Sequence, residues 1–157
     1  MIRLPALTVW QPWASLIIAM AKPWEFRGRP APAAYAGRRI AIHAGARKPV
    51  MAELRALRAQ LTRGEQTGLQ RETAHGLLER WIAEPSILPL ASVLGTAVML
   101  ASVRACDVPV LAPSFANDSE RREHSNWAWP MTQVRSLEPP VPMRGAQGFW
   151  PCELEDA

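Results

Sequence analysis

Thr8-Val9-Trp10-Gln11-Pro12-Trp13-Ala14, running on through an apolar stretch into Lys22-Pro23-Trp24-Glu25-Phe26-Arg27, decides how the chain reads. Leu4 to Trp10 is short and apolar and predicts a strand, ended where Pro12 takes the first position of a helix. In that helix Trp13, Leu16, Ile17 and Met20 share a face, while Ala14 and Ile18 fill in the rest. A helix apolar almost all round belongs in the interior, here as a plug against the end of a curved sheet. Pro23 to Arg27 predicts a second strand, whose alternation puts Glu25 and Arg27 on one face and Trp24 and Phe26 on the other. Trp10, Trp13 and Trp24 thus bracket one lysine, one carboxylate and one guanidinium.

Working outward, Gly28-Arg29-Pro30-Ala31-Pro32 breaks regularity and predicts a stiff polar loop. Gly37 to Ala44 predicts a strand with Ile40 and Ile42 on one side and Arg39, Ala41 and His43 on the other. From Pro49, Val50, Leu54, Leu57 and Leu61 recur at helical spacing. After Gly64 to Gly68, Leu69, Ala74, Leu77, Leu78, Trp81 and Ile82 do the same. These predict a helical pair inserted at about 49–83. Ser92 to Ala105 is the longest predicted strand, with Gly95 suited to a bulge. The polar stretch 107–126 lacks periodicity and predicts a mobile lid. Trp127 to Leu137 and Gln147 to Leu154 supply the last strands, separated by Glu138-Pro139-Pro140-Val141-Pro142. Strands dominate and helices are inserted, so the expectation is one α+β domain over 1–157 with a curved or closed mixed sheet.

Apolar residues make up 48% of the 157 and charged residues 20%, the balance of an ordinary folded protein rather than a disordered one. The net charge is +4, and Lys22 and Lys48 are the only lysines among 18 basic residues. Arginine forks suit phosphates and stack on bases, so an anionic partner is favoured. Cys106 and Cys152 lack CxxC spacing, which leaves two free thiols in a reducing cytosol and no zinc site. His43, His75 and His124 make no ligand spacing, so no metal is expected, and no cofactor is called for. The apolar run from Ala14 to Ala21 is too short for a membrane span and has no cleavage context. The expectation is a soluble cytoplasmic protein with no membrane partner and an open oligomeric state.

Gln11-Pro12-Trp13-Ala14, an apolar helix and then Lys22-x-x-Glu25-x-Arg27 resemble the opening of ASCH domains, which are PUA-like β-barrels. The likeness continues through Gly37-Arg38-Arg39-Ile40-Ala41-Ile42-His43-Ala44. It returns at Trp127-Ala128-Trp129 and Gly145-Ala146-Gln147-Gly148-Phe149-Trp150. The resemblance implies a PUA-like mixed or antiparallel barrel with a buried amino-terminal helix. It also implies binding of RNA, single-stranded nucleic acid or a nucleoside or nucleotide. In ASCH-like amidohydrolases acting on acylated cytidine, a lysine at the Lys22 position belongs to the catalytic set. Two departures stand out: Met20 occupies the place of a glycine that closes the first helix, and Glu25 that of a threonine.

From the residues alone, Lys22 among indoles is a candidate base or nucleophile, because burial disfavours its charged form. A salt bridge to Glu25 is the plainer account. Glu25 and Arg27 form either an internal ion pair or a base-and-phosphate contact. His43 is a weaker catalytic candidate, since a lone strand histidine is more often structural. Trp10, Gln11, Trp13, Trp24 and Arg27, with Ser125, Asn126, Trp127 and Trp129, make up the expected ligand-binding set. Aromatic faces beside arginines are what an unstacked base needs. Arg38, Arg39, Arg121 and Arg122 are a candidate electrostatic rim. Three functions remain open: RNA or nucleotide binding, metal-independent hydrolysis of a modified cytidine or of RNA by Lys22 and Glu25, and a protein-interaction module built on the tryptophans.

Overall fold

A computed structural model describes residues 1–108 and 127–155. The elements, in chain order, are β1 (Ile2–Val9), α1 (Trp13–Ile18), β2 (Trp24–Arg27), β3 (Arg38–Ala44), α2 (Met51–Thr62), α3 (Arg71–Ala83), β4 (Ser92–Met99), β5 (Val103–Arg104), β6 (Trp127–Pro142) and β7 (Phe149–Leu154). They form one mixed seven-stranded sheet in the order β2-β6-β4-β3-β1-β7, with β5 joined to β6. The architecture is α+β, as expected. The strand path is open, with β2 at one end and β7 at the other.

β1 runs parallel to β3 and antiparallel to β7; the other ladders are antiparallel. Along β1 and β3 the alternation sorts the core. Leu7, Val9, Ile40, Ile42 and Ala44 pack on one side with Ala14, Ile17 and Trp129, while Ala6 and Ala41 pack on the other with Val93, Cys152 and Leu154. α1 lies between the first of these layers and a third cluster, built with Leu54, Leu57, Leu61, Ala74, Leu78 and Trp81 of α2 and α3, to which it contributes Leu16. A six-residue helix pressed between a sheet and a helical pair has no polar side to spare, which explains its composition.

The exit from α1 differs from the expectation that Met20 shares its buried face. Met20 lies beyond the helix, 68% exposed, with φ 58°. The Met20 amide donates to the Ile17 carbonyl at 3.0 Å and the Ala21 amide to the Leu16 carbonyl at 2.9 Å, the paired bonds of a Schellman stop. A methionine holds the left-handed position that glycine ordinarily fills. At the other end Pro12 sits just before the first helical residue, and the Gln11 side chain caps the helix by accepting the Ser15 amide at 3.0 Å.

Two strand boundaries also correct the sequence reading. The segment expected to run from Ser92 to Ala105 breaks at Leu100, leaving β4 and the two-residue β5. The longest strand is instead β6, which continues through Glu138-Pro139-Pro140-Val141-Pro142 rather than ending there. The prolines are accommodated because the β4–β6 register shifts between Val93 and Gly95, so Ser136 pairs with Gly95 and Val141 with Val93. Gly95 is needed at that shift: a Cβ there would collide with the Arg135 carbonyl oxygen and reach within 2.9 Å of Ile18. Of the expected lid over 107–126, Asp107 closes a 3₁₀ turn and Val108 is buried; the rest lies outside the described residues.

Candidate functional site

The β2–β6 ladder assembles the site. Glu25 pairs with Trp129 and Arg27 with Trp127, so all four side chains project from one side of the sheet. Trp24 and Phe26 project from the other and pack with Ala105, Val108 and Ala128. The two ends of the sequence that carry its densest aromatic and charged residues therefore meet.

Lys22 enters β2 from the α1 turn and is 2% exposed. Its ammonium lies 4.8 Å from the centroid of the Phe26 ring and 5.4 Å from that of Trp13. The negative faces of the rings attract it but replace only part of its lost hydration. Burial pulls its pKa down from the ordinary 10.5 to about 8; Glu25 opposes this shift and Arg27 adds to it. Lys22 is therefore still mainly charged at neutral pH.

Glu25 is 7% exposed. Its Oε1 accepts the Phe26 amide at 3.1 Å and lies 3.9 Å from Arg27 Nε, near enough for charge attraction but too far for a hydrogen bond. Among the described residues, Glu25 Oε2 and Arg27 Nε are buried without hydrogen-bond partners. The far end of Arg27 is anchored, with one terminal nitrogen donating to the Thr8 carbonyl at 3.2 Å and the guanidinium 5.6 Å from the Trp129 ring centroid. Trp129 is locked in turn: its Nε1 donates to the Arg29 carbonyl at 2.9 Å and its ring stacks at 7° on Phe149. It is a rigid wall. Trp127 is half-buried beneath the Arg104 guanidinium, 5.2 Å from the ring centroid.

Other expected site residues serve the fold. Gln11 spends its amide on Ser15 and on the Pro89 carbonyl, at 2.7 and 2.8 Å. His43 is held at both nitrogens: Nε2 donates to the Met143 carbonyl at 2.8 Å, and Nδ1 lies 3.2 Å from the Thr8 hydroxyl. The same hydroxyl accepts from Trp150 Nε1 at 3.0 Å, and the Trp150 ring meets the imidazole edge-on. Arg39 gives its guanidinium to Thr96 and the Gln133 carbonyl, and so bridges β4 and β6. Arg38 is exposed. Trp10, 46% exposed at the end of β1, meets a different cation, Arg47, at 4.2 Å. Ser125, Asn126, Arg121 and Arg122 lie outside the described residues.

Sequence reasoning did not single out Thr8, Phe26, Arg47 or Arg104. The Thr8 contribution is a main-chain carbonyl and leaves no residue-type signal. Arg47 and Arg104 became visible only once strand pairing set each beside its indole. Among the described residues no cluster of histidine, cysteine and carboxylate side chains is arranged to hold a metal ion, and no helix is long and apolar enough to cross a membrane.

No protein-family model matches the chain, and no curated protein matches it. Among solved structures, it is similar to the crystal structure of a point mutant of ZmASCH from Zymomonas mobilis, with 19% identity, a TM-score of 0.47, and coverage of 88% of this chain and 74% of that one. The likeness spans most of both chains, at an overlap too loose to bear on chemistry.

Proposed function

We propose that the Lys22–Glu25–Arg27 cluster recognises RNA or a nucleotide, taken in between α1 and the β2–β6 ladder by a protein of ASCH type. The observation that carries this reading is Glu25 Oε2, the oxygen of a buried carboxylate near Arg27 that has no donor among the described residues. Leaving such an atom unmet costs on the order of 1–3 kcal/mol, and a ligand N–H reaching it would recover that cost. A base offers an amino group for the carboxylate, while its carbonyls and phosphate offer acceptors for Lys22 and Arg27. Trp127, half-buried, offers the ligand an aromatic neighbour beside the rigid wall of Trp129, and the arginine-rich composition supplies long-range attraction. Titration of a labelled RNA oligonucleotide tests the reading. Affinity should fall steeply with added salt and weaken in Arg27→Ala; binding indifferent to both would overturn it.

The low pKa of Lys22, about 8, favours a second reading. A neutral amine available just above physiological pH is equipped to take a proton from an attacking water or ribose hydroxyl, with Glu25 as the partner acid or base. The chain would then be a metal-independent hydrolase, cutting the amide of a modified cytidine or the RNA backbone. The two readings differ in Lys22→Ala: an enzyme loses turnover and keeps ligand affinity, whereas a binder has no turnover to lose. They differ in pH dependence too, since hydrolysis should accelerate as pH rises through about 8 and anion binding should weaken.

A further inference from the structure

We infer that Arg104 is a phosphate-binding residue of the Lys22–Glu25–Arg27 site, so that the ligand is a nucleotide unit carrying a phosphate and not a free nucleoside. The inference rests on the nucleic-acid reading above and deepens it. Strand register gives Arg104 its place. Trp127 on β6 pairs with Arg27 of β2 on one side and with Arg104 of β5 on the other. Residues paired across neighbouring strands project from the same side of a sheet, so Arg27, Trp127 and Arg104 form one row on the side that carries Glu25 and Trp129. Two strand spacings set the backbones of the two arginines about 10 Å apart, with the indole between them. Ala105, the next residue, is buried with Phe26 and Ala128 on the reverse of the sheet, which fixes β5 beside β6.

These groups grade from covered to open. Glu25 is buried, the Arg27 side chain is 32% exposed and already gives a nitrogen to the Thr8 carbonyl, and Arg104 is exposed. Among the described residues no carboxylate lies within ion-pair distance of Arg104. Its guanidinium sits over the Trp127 ring instead, 5.2 Å from the centroid. Such a seat steadies the side chain and leaves its N–H donors free, and a steadied fork with free donors suits a phosphate. The charges also set which way the ligand lies. A phosphate against the Glu25 carboxylate would meet a like charge in a buried setting, whereas a neutral base brings N–H donors to it. Base inward and phosphate outward matches both ends, and Arg104 is the cation at the outer end.

The test measures binding of cytidine, cytidine 5′-monophosphate and hexacytidylate by calorimetry across a salt titration. Wild type is compared with Arg104→Ala, Arg104→Lys and, as a control for lost charge alone, Arg55→Ala on the exposed side of α2, with thermal unfolding to check folding. Wild type should prefer the monophosphate to cytidine. Arg104→Ala should weaken a phosphorylated ligand roughly tenfold and lower its salt slope by about one, with cytidine affinity unchanged. Loss for both phosphorylated ligands assigns Arg104 to any nucleotide phosphate, and loss for hexacytidylate alone to a phosphodiester within a strand. Arg104→Lys should fall between, keeping the charge without the planar fork. A preference for phosphate that survives in Arg104→Ala, or falls as much in Arg55→Ala, would overturn the inference and leave the Lys22–Glu25–Arg27 site standing. Equal loss for cytidine and its monophosphate would also overturn it, by reducing Arg104 to a support for Trp127. A wild-type protein that binds none of the three would sink the nucleic-acid reading as well.

Discussion

Glu25 on β2 and Trp129 on β6 stand directly opposite one another in an antiparallel ladder, so a carboxylate from one end of the sequence is fixed against an indole from the other. The pairing turns two separate sequence motifs into one surface. Trp129, 1% exposed, cannot swing away, and the cations beside Glu25 are held by Thr8, Phe26 and Trp13.

The cost of burying Lys22 should be visible as a pH dependence of stability. Folded Lys22 releases its proton near pH 8, the unfolded chain near 10.5, so between these values the unfolded state holds more protons and stability rises with pH. The gain attributable to this one group is roughly 3 kcal/mol. Cys152 opposes it, because burial pushes that thiol up, with Glu153 adding. Wild type should therefore be compared with Lys22→Met in urea denaturation from pH 7 to 10. The difference between their curves should carry the rise; parallel curves would refute it.

Glu25 raises the Lys22 pKa, against the larger effect of burial. In Glu25→Gln that support is gone, and Lys22 should titrate below its wild-type value of about 8. Nitrogen-detected NMR of the Lys22 ammonium follows this directly. An unchanged midpoint would mean that the carboxylate and the ammonium do not sense each other.

Met20→Gly should stabilise the protein by about 0.5–1 kcal/mol. The side chain is exposed and buries little, while its left-handed backbone is strained for any residue with a Cβ. Part of the relief is offset by the greater freedom of glycine in the unfolded chain. The midpoint of guanidinium unfolding reads the change, which should raise the midpoint without altering the slope.

The His43 network should behave as a structural clamp. Thr8→Val keeps the side-chain shape but strands both the imidazole Nδ1 and the Trp150 N–H, at a cost of about 2 kcal/mol. Gly145→Ala places a methyl group on the His43 ring and 2.8 Å from the Thr8 hydroxyl, and His43 is pinned from two sides. A similar loss is expected, of the order seen for overpacked cores. Unfolding free energies that match wild type in both variants would show the clamp to be dispensable.

Much of the frame was legible because period and punctuation carry it. Ile40 and Ile42 announced β3, the leucine spacing announced α2 and α3, and the uninterrupted apolar character of α1 announced its burial. β6 was misjudged because prolines end a strand locally, whereas here a register shift in β4 absorbs them; that compensation lies some forty residues away in the sequence. The site was legible in residue type at Lys22, Glu25, Arg27, Trp127 and Trp129. Its neighbours were not, because the Thr8 carbonyl, the Arg47–Trp10 pair and the Arg104–Trp127 pair come from long-range pairing that no local pattern announces.

β1 is flanked by β3 on one side and by β7 on the other. During synthesis the first of these partners leaves the ribosome soon after β1, the second only once nearly all the described chain has been made. Until then one edge of β1 has no ladder, and the hairpin of α2 and α3, whose contacts are local, is the part able to assemble early. A ribosome stalled anywhere before Phe149 would hold a chain that has its helices but an unfinished sheet, a species that chaperones or proteases should treat differently from the released protein.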